Sequence, residues 1–128
     1  MNDSNLKRFK EAQTRDYDIA LAEIKAGRKR SHWMWYIFPQ IAGLGTTDTS
    51  RHYAIKDVTE ATDLLMEQEL GLRLTNICKA LLQLETNNAQ EIFGSPDDLK
   101  LKSSMTLFDA APATFPVFGQ VLDKFYNG

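Results

Sequence analysis

Residues 69–85, ELGLRLTNICKALLQLE, carry the clearest helical pattern in the sequence and decide its fold class. Apolar residues recur there at intervals of three and four, which is the spacing of one face of an α-helix. Other elements have to cover an apolar stripe of this kind, so we predict that the segment is the central core helix. The stripe consists of Leu70, Leu74, Ile77, Cys78, Leu81, Leu82 and Leu84.

The N-terminal third predicts two helices and a shorter third one. The apolar periodicity is interrupted where Asp16 can cap a second helix over residues 17–26. Gly27 then predicts a helix stop, because glycine takes the left-handed conformation without a Cβ penalty. Ser31 can cap a short helix, and Pro39 ends it by excluding the helical conformation at the residue before it.

Further helix boundaries follow in the rest of the chain. Asp57 can cap a helix that ends near residue 68. Ser95 and Pro96 predict another start, because serine accepts bonds from first-turn amides and proline fits the first helical position. A last helix follows Thr114, and the sequence shows neither strand alternation nor an internal repeat.

Length and composition bound the architecture. The chain has 128 residues, of which 43% are hydrophobic and 25% charged, and this is the size and core content of one globular domain. Short connections between the predicted helices favour antiparallel neighbours. We therefore predict an all-α fold, with a single compact domain over residues 1–128 and about six to eight helices in an orthogonal or antiparallel bundle.

Charge and cysteine content exclude several classes of protein. Fifteen basic and 17 acidic residues give a net charge of −2, so no overall field attracts nucleic acid or an anionic membrane. The single cysteine, Cys78, can form no intramolecular disulfide and predicts a small core residue in a reducing compartment. The polar N-terminus lacks the apolar run of a signal peptide, and no segment approaches the ~20 apolar residues of a membrane span. We expect a cytoplasmic protein.

The standard catalytic motifs are missing from the sequence. It has no Walker phosphate loop, no dinucleotide fingerprint, no histidine pair at metal-ligand spacing and no nucleophile elbow. A classical nucleotide hydrolase and a zinc enzyme are therefore disfavoured. The sequence predicts no metal site, identifies no cofactor and names no reaction, so candidate sites rest on clusters of residues.

The first cluster lies in residues 27–40, GRKRSHWMWYIFPQ, where cations stand beside both tryptophans. Arginine can hold a phosphate or carboxylate through two parallel hydrogen bonds, and tryptophan offers a flat face for a base or sugar. The helix dipole explains Lys29 without a ligand. His32 is a candidate for proton transfer, although a structural role is open to it as well. The ligand-binding candidates are Arg28, Arg30, Ser31, Trp33 and Trp35.

The second cluster lies on the helix that follows Pro96. Asp97 and Asp98 are candidates for proton transfer, although capping and ion pairing within the helix explain them without a function. Hydroxyl groups in the middle of this helix are less easily explained, because propensity does not favour them there. The ligand-binding candidates are Lys100, Ser103, Ser104 and Thr106.

A loop rich in glycine and threonine, residues 41–50, lies between the two clusters in the sequence. Its composition is typical of a connection that can cover a site. If it folds back over the tryptophan segment, His52 would approach His32, although the spacing does not require a two-histidine site.

These segments closely resemble the domain of unknown function 1810 family, small proteins found mainly in bacteria. The similarity rests on GRKRSHWMWYIFPQ, YAI, LGLRL and IFGSPDDLKLKSSMTLF, and it covers about residues 9–125. It implies a mainly α-helical fold and a map of motifs, with no established activity. Some members are labelled calpastatin, but calpastatin inhibitory segments are disordered and this chain has a dense core pattern.

Alternative functions follow from the two clusters. In the first, they line one pocket for a small anionic ligand, phosphate- or nucleotide-like, with Arg28, Arg30 and Lys100 as charge partners. A hydrolase or glycosyl-transferring enzyme acting on an ADP-ribose-like substrate is one version of it. In the second, tryptophan and arginine side chains form a non-enzymatic interaction surface for another protein or a second copy. Nucleic-acid binding ranks third because the net charge is acidic.

Overall fold

Eight α-helices account for the architecture of residues 3–126, which are the residues that the computed structural model describes. Within this range the structure has no strand, only an isolated parallel bridge between Ile41 and Ile55. The predicted all-α fold is therefore confirmed. The helices are α1 (Asp3–Lys25), α2 (Met34–Ile37), α3 (Asp48–His52), α4 (Val58–Met66), α5 (Gln68–Leu82), α6 (Ala89–Phe93), α7 (Asp97–Asp109) and α8 (Pro116–Tyr126).

Helix α5 lies at the centre of the fold, in contact with α1, α4 and α8. Its apolar stripe is buried from Leu70 to Leu81, as the sequence predicts for a core helix. Gly71 allows α4 to approach, because a Cβ atom there would lie 2.2 Å from the carbonyl oxygen of Leu65. Cys78 is fully buried in this core, and burial raises the pKa of its thiol.

Helix α1 is continuous, so the predicted break before residue 17 is wrong. The periodicity is interrupted there because the inner face carries polar groups that find partners inside the fold. Gln13 is buried and donates to the carbonyl of Tyr36 over 2.8 Å, and the hydroxyl of Tyr17 donates to the carbonyl of Arg73. Asp16 caps no helix and accepts a hydrogen bond from the hydroxyl of Tyr36 instead.

Two of the predicted caps are also wrong. Ser31 does not cap α2, because its hydroxyl donates to Glu23 and the helix begins only at Met34. Ser95 does not cap α7, where the carbonyls of Gly94 and Pro96 accept the first-turn amides. Asp57 does cap α4, as predicted. Gly27 does follow the end of α1 with a positive φ of 84°.

The loop predicted over residues 41–50 is partly helical. Thr47 caps α3 by accepting a hydrogen bond from the amide of Ser50 over 3.1 Å. Backbone hydrogen bonds join residues 40 and 42, at the start of the segment, to Ile55 beyond α3. No helix within residues 3–126 is long and apolar enough to cross a bilayer.

Candidate functional site

A cleft of about 320 Å³ lies between the segment that follows α1 and helix α7. The two segments that the sequence analysis singled out therefore meet in space. Two threonines also line the cleft: Thr47, which caps α3, and Thr49 within α3. The lining residues are Lys29, His32, Met34, Trp35, Tyr36, Thr47, Thr49, Asp97 and Lys100.

Two lysines share one carboxylate in this cleft. The ammonium of Lys29 lies 2.9 Å from Oδ2 of Asp97, and that of Lys100 lies 3.0 Å from Oδ1. The side chain of Lys29 is only 9% exposed and also donates to the carbonyl of Ser31 over 2.6 Å. The interpretation of Lys29 as a charge at a helix end is thereby corrected, because its ammonium contacts α7.

Each of the two ammonium groups also lies over an indole ring. Lys29 Nζ is 5.1 Å from the ring centre of Trp33, and Lys100 Nζ is 4.6 Å from that of Trp35. The electron-rich ring faces attract the cations and hold them in place. Trp33 is fully buried, whereas Trp35 is half-buried and lines the cleft.

The carboxyl group of Asp97 is ionised at neutral pH. Its burial alone raises the pKa, but hydrogen bonds from Lys29 and Lys100 and the charges of the two ammonium groups outweigh this effect. The net result is a pKa below the usual range of an aspartate. Asp97 can therefore accept hydrogen bonds or stabilise positive charge, but it is not a proton donor at pH 7.

Glu23 organises the segment that carries the cations, a role that was not predicted from the sequence. Its carboxylate accepts four hydrogen bonds, from the amides of Arg30 and Ser31, the hydroxyl of Ser31 and the indole Nε1 of Trp33, over 2.6 to 3.0 Å. Burial favours a higher pKa, but these donors lower it to about 2. No spacing rule identifies such a residue, because its partners lie in an irregular segment.

Hydrogen bonds to the backbone groups of Lys29 and Lys100 also hold these two lysines in position. The buried side-chain amide of Gln40 donates to the backbone carbonyls of Lys100 and Phe38 over 2.7 and 2.9 Å. The amide of Lys29 donates to the carbonyl of Ile92 over 2.7 Å. Both sides of the cleft are thus fixed to the core independently of the ion pairs.

The loop before α3 packs closely on the cleft. A Cβ atom on Gly45 would lie 2.8 Å from Cη2 of Trp35 and 2.5 Å from the side chain of Ser50. The absence of a side chain at Gly45 therefore lets the loop reach the indole. Thr47 and Thr49, two and four residues further along the chain, line the cleft.

The candidates of the first cluster are not all in the cleft. His32 and Trp35 line it, and the buried Trp33 lies behind it. Arg28 and Arg30 have exposed side chains and do not line it. Ser31 binds Glu23 through its hydroxyl, and its carbonyl holds the ammonium of Lys29.

The candidates of the second cluster are divided in the same way. Asp97 and Lys100 line the cleft, whereas Asp98 does not, and its buried Oδ1 has no hydrogen-bond partner among the described residues. Ser104 is fully buried. Ser103 and Thr106 line a separate, mostly apolar surface beside Leu44 and Val58. His52 packs edge-on against Tyr53 and is not among the residues that line the cleft.

The cleft offers donors and a flat aromatic face rather than a metal site. Among the described side chains, those of residues 6–126, no three histidine, cysteine, aspartate or glutamate residues are grouped so as to hold a metal ion. Its lining residues include two lysines, two threonines and a histidine, whose side chains all carry hydrogen-bond donors. This arrangement can bind an anion or a group rich in hydrogen-bond acceptors.

Comparison with known proteins assigns the family. A family model described as "Protein of unknown function (DUF1810)" matches residues 3–128. The crystal structure of the conserved hypothetical protein Rv1873 from Mycobacterium tuberculosis is similar, with a TM-score of 0.93 and 44% sequence identity, over 97% of this chain and 89% of that chain. No curated protein matches the chain. The chain thus belongs to the DUF1810 family, as the motif resemblance implied.

Proposed function

We propose that the cleft binds a small anionic ligand with a flat or apolar part, of the phosphate or nucleotide class. One observation carries the proposal: Lys29 and Lys100, from separate segments, converge on the single carboxylate of Asp97. Two positive charges face one negative charge there, so the cluster has one positive charge in excess. A bound anion would neutralise it.

The lysines retain donors for such a ligand. An ammonium group has three N–H donors. Lys29 uses two of them, on Asp97 and on the carbonyl of Ser31, whereas Lys100 uses one, on Asp97. One donor on Lys29 and two on Lys100 therefore remain. Because these side chains are largely shielded from solvent, their attraction for an anion is screened less than that of surface lysines.

The remaining walls suit the rest of a nucleotide-like molecule. Trp35 offers an aromatic surface on which a base or sugar can pack. The hydroxyls of Thr47 and Thr49 and the imidazole of His32 can bond to ribose or phosphate oxygens. The volume of about 320 Å³ lies at the lower end of the range typical of small-molecule pockets.

The alternatives have less support. An enzyme acting on an ADP-ribose-like substrate would need a proton donor, and of the three candidates from the sequence Asp97 is ionised and Asp98 does not line the cleft, which leaves His32. An aromatic interaction surface would need exposed rings, but Trp33 and Tyr36 are buried. Homo-oligomerisation, a cytoplasmic location and the single-domain organisation of residues 1–128 stay predictions from the sequence.

Calorimetric titration tests the proposal with two probes, inorganic phosphate and adenosine monophosphate. We expect the wild-type protein to bind the nucleotide more tightly than phosphate, because only the nucleotide reaches Trp35. Lys100→Met should weaken nucleotide binding about tenfold, since it removes the ammonium with two spare donors.

The matched control is Lys102→Met, which removes the same charge from the same helix outside the cleft. Its affinity should equal that of the wild type. Equal losses in the two variants would mean that only the net charge matters, and would refute a specific site. No binding of either probe by the wild-type protein would also refute the proposal.

A further inference from the structure

A second cavity, of about 630 Å³, lies between α5 and α8, on elements that do not form the cleft. It is larger than the cleft and mostly apolar, and two of its side chains, Leu72 and Phe115, are 59% and 40% exposed. We call this cavity the groove. Exposed apolar surface that lines a concave feature of this size is typical of a binding site. The lining residues are Leu65, Gln68, Gly71, Leu72, Thr75, Lys79, Phe115, Pro116, Val117 and Gln120.

The groove is apolar through most of its length for local reasons. Gly71 contributes no side chain, and the hydroxyl of Thr75 donates within its own helix, to the carbonyl of Gly71 over 2.8 Å. The polar atom of Thr75 is thus satisfied within α5, which leaves its methyl group free to pack. Leu65 and Val117 complete the wall from α4 and α8.

The groove also has a direction. Lys124 near the end of α8 donates to the carbonyl of Leu84 over 2.7 Å, so the C-terminal ends of α5 and α8 lie side by side. Lys79 and Gln120 therefore belong to the same end of the groove, and Phe115 and Leu65 to the other. Apart from Gln68, the polar lining residues are concentrated towards the first end.

Among the residues that the structure describes, Lys79 is the one charged residue that lines the groove. No carboxylate is among these lining residues. The side chain of Lys79 forms no hydrogen bond or ion pair with the other described side chains or with the described backbone. An occupant that complements these walls is apolar along most of its length and carries one negative charge at one end.

We propose that this groove binds a free fatty carboxylate, with its alkyl chain between α5 and α8 and its carboxylate on Lys79. The stretch of α5 from Gln68 to Lys79 is about 16 Å long, at a rise of 1.5 Å per residue, which suits a medium-length chain. The site is separate from the cleft and independent of the function proposed for it.

A second copy of the chain fits this groove less well. In a symmetric dimer the same surface patch meets itself. The lining residues include no acidic side chain, so a partner groove would offer Lys79 no counter-charge. A fatty carboxylate satisfies both the apolar walls and the cation.

Sodium dodecanoate, kept below its micelle concentration, is the probe for a titration followed by calorimetry and by amide NMR of the whole chain. We expect saturable binding that shifts the amide signals of Gly71, Thr75 and Val117. Lys79→Met should weaken dodecanoate binding about tenfold and leave binding of uncharged dodecanol unchanged. Leu72→Arg, at an exposed position, should weaken binding of both.

The control variant is Lys25→Met, an exposed lysine at the end of α1, which should bind dodecanoate like the wild type. Absence of saturable binding by the wild-type protein would overturn the proposal. So would an unchanged affinity in Lys79→Met. If sedimentation shows a dimer that Leu72→Arg dissociates and that excludes dodecanoate, the occupant is a second copy and the proposal is wrong.

Discussion

The ammonium of Lys29 lies 2.9 Å from the carboxylate of Asp97, and this contact joins two motif segments that are far apart in the sequence. Lys29 stands in an irregular segment after α1, whereas Asp97 is the first residue of α7. Because the lysine is almost completely shielded from solvent, the ion pair is not a weak surface contact. It fixes one charged corner of the cleft.

Single substitutions of Lys29 and of its neighbour Arg30 distinguish the effect of the charge in the cleft from the effect of an exposed charge beside it. We expect Lys29→Met to lower the free energy of unfolding by about 1–2 kcal/mol, since Asp97 loses one of its two ammonium partners. The same variant should bind adenosine monophosphate about tenfold more weakly. Calorimetry and urea unfolding measure the two effects.

Arg30→Met is the matched control, because it removes an exposed side chain while the backbone amide keeps its bond to Glu23. Its stability and affinity should stay close to those of the wild type. A loss of affinity in Arg30→Met with none in Lys29→Met would assign the anion site to the exposed arginines instead.

Asp97→Asn tests the ion pairs through their pH dependence. The folded-state pKa of Asp97 lies below that of the unfolded chain, about 3.9. The contribution of its charge is therefore fully present above about pH 5 and is lost as pH falls through the folded-state pKa. We expect the variant to be about 1–2 kcal/mol less stable at pH 7 and the difference to shrink below about pH 4. Urea unfolding at several pH values would contradict this if the difference grew on acidification.

Glu23→Gln should weaken the segment that carries the cations. The amide cannot accept all four hydrogen bonds that the carboxylate accepts, so we expect a loss of about 1–3 kcal/mol at pH 7. The pKa of Glu23 falls from 4.5 to about 2, so the stabilisation disappears as pH falls through that interval. Glu11→Gln, at an exposed site on the same helix, is the control for urea unfolding followed by tryptophan fluorescence. Equal losses in the two variants would show that the hydrogen bonds of Glu23 add no stability.

Gly45→Ala should displace the loop that packs on Trp35. The new methyl group would lie 2.8 Å from the indole and 2.5 Å from Ser50, so one of the contacting groups must move. We expect a change in the fluorescence of Trp35 and weaker nucleotide binding, whereas Thr46→Ala at the exposed neighbouring position should alter neither. Unchanged fluorescence and affinity in Gly45→Ala would mean that the loop does not shape the cleft.

Much of the fold could be predicted from regular patterns. The stripe of α5 follows from its spacing, and the start of α4 follows from Asp57, because burial and capping act within one helix. The continuity of α1 could not be predicted in this way. Gln13 and Tyr17 occupy its inner face as polar residues whose partners, Tyr36 and Arg73, become neighbours only in the folded chain.

The site was predictable at the level of segments but not of side chains. Dense aromatic and charged composition indicated one wall of the cleft, and the charged and hydroxyl residues after Pro96 indicated the other; Trp35, Asp97 and Lys100 do line it. The choice among adjacent cations depends on which side of an irregular segment faces α7. That choice is fixed by hydrogen bonds to Glu23 and by the backbone bond from Lys29 to Ile92, which local sequence does not encode.

The most direct test of the anion-binding cleft follows the two tryptophan indole N–H signals by NMR during titration with adenosine monophosphate. Trp35 lines the cleft, whereas the indole of the buried Trp33 donates to Glu23 over 2.8 Å and serves as an internal reference. We predict a saturable shift of the Trp35 signal, with the Trp33 signal nearly unchanged. If the Trp35 signal does not move at saturating nucleotide, the account of the cleft is wrong.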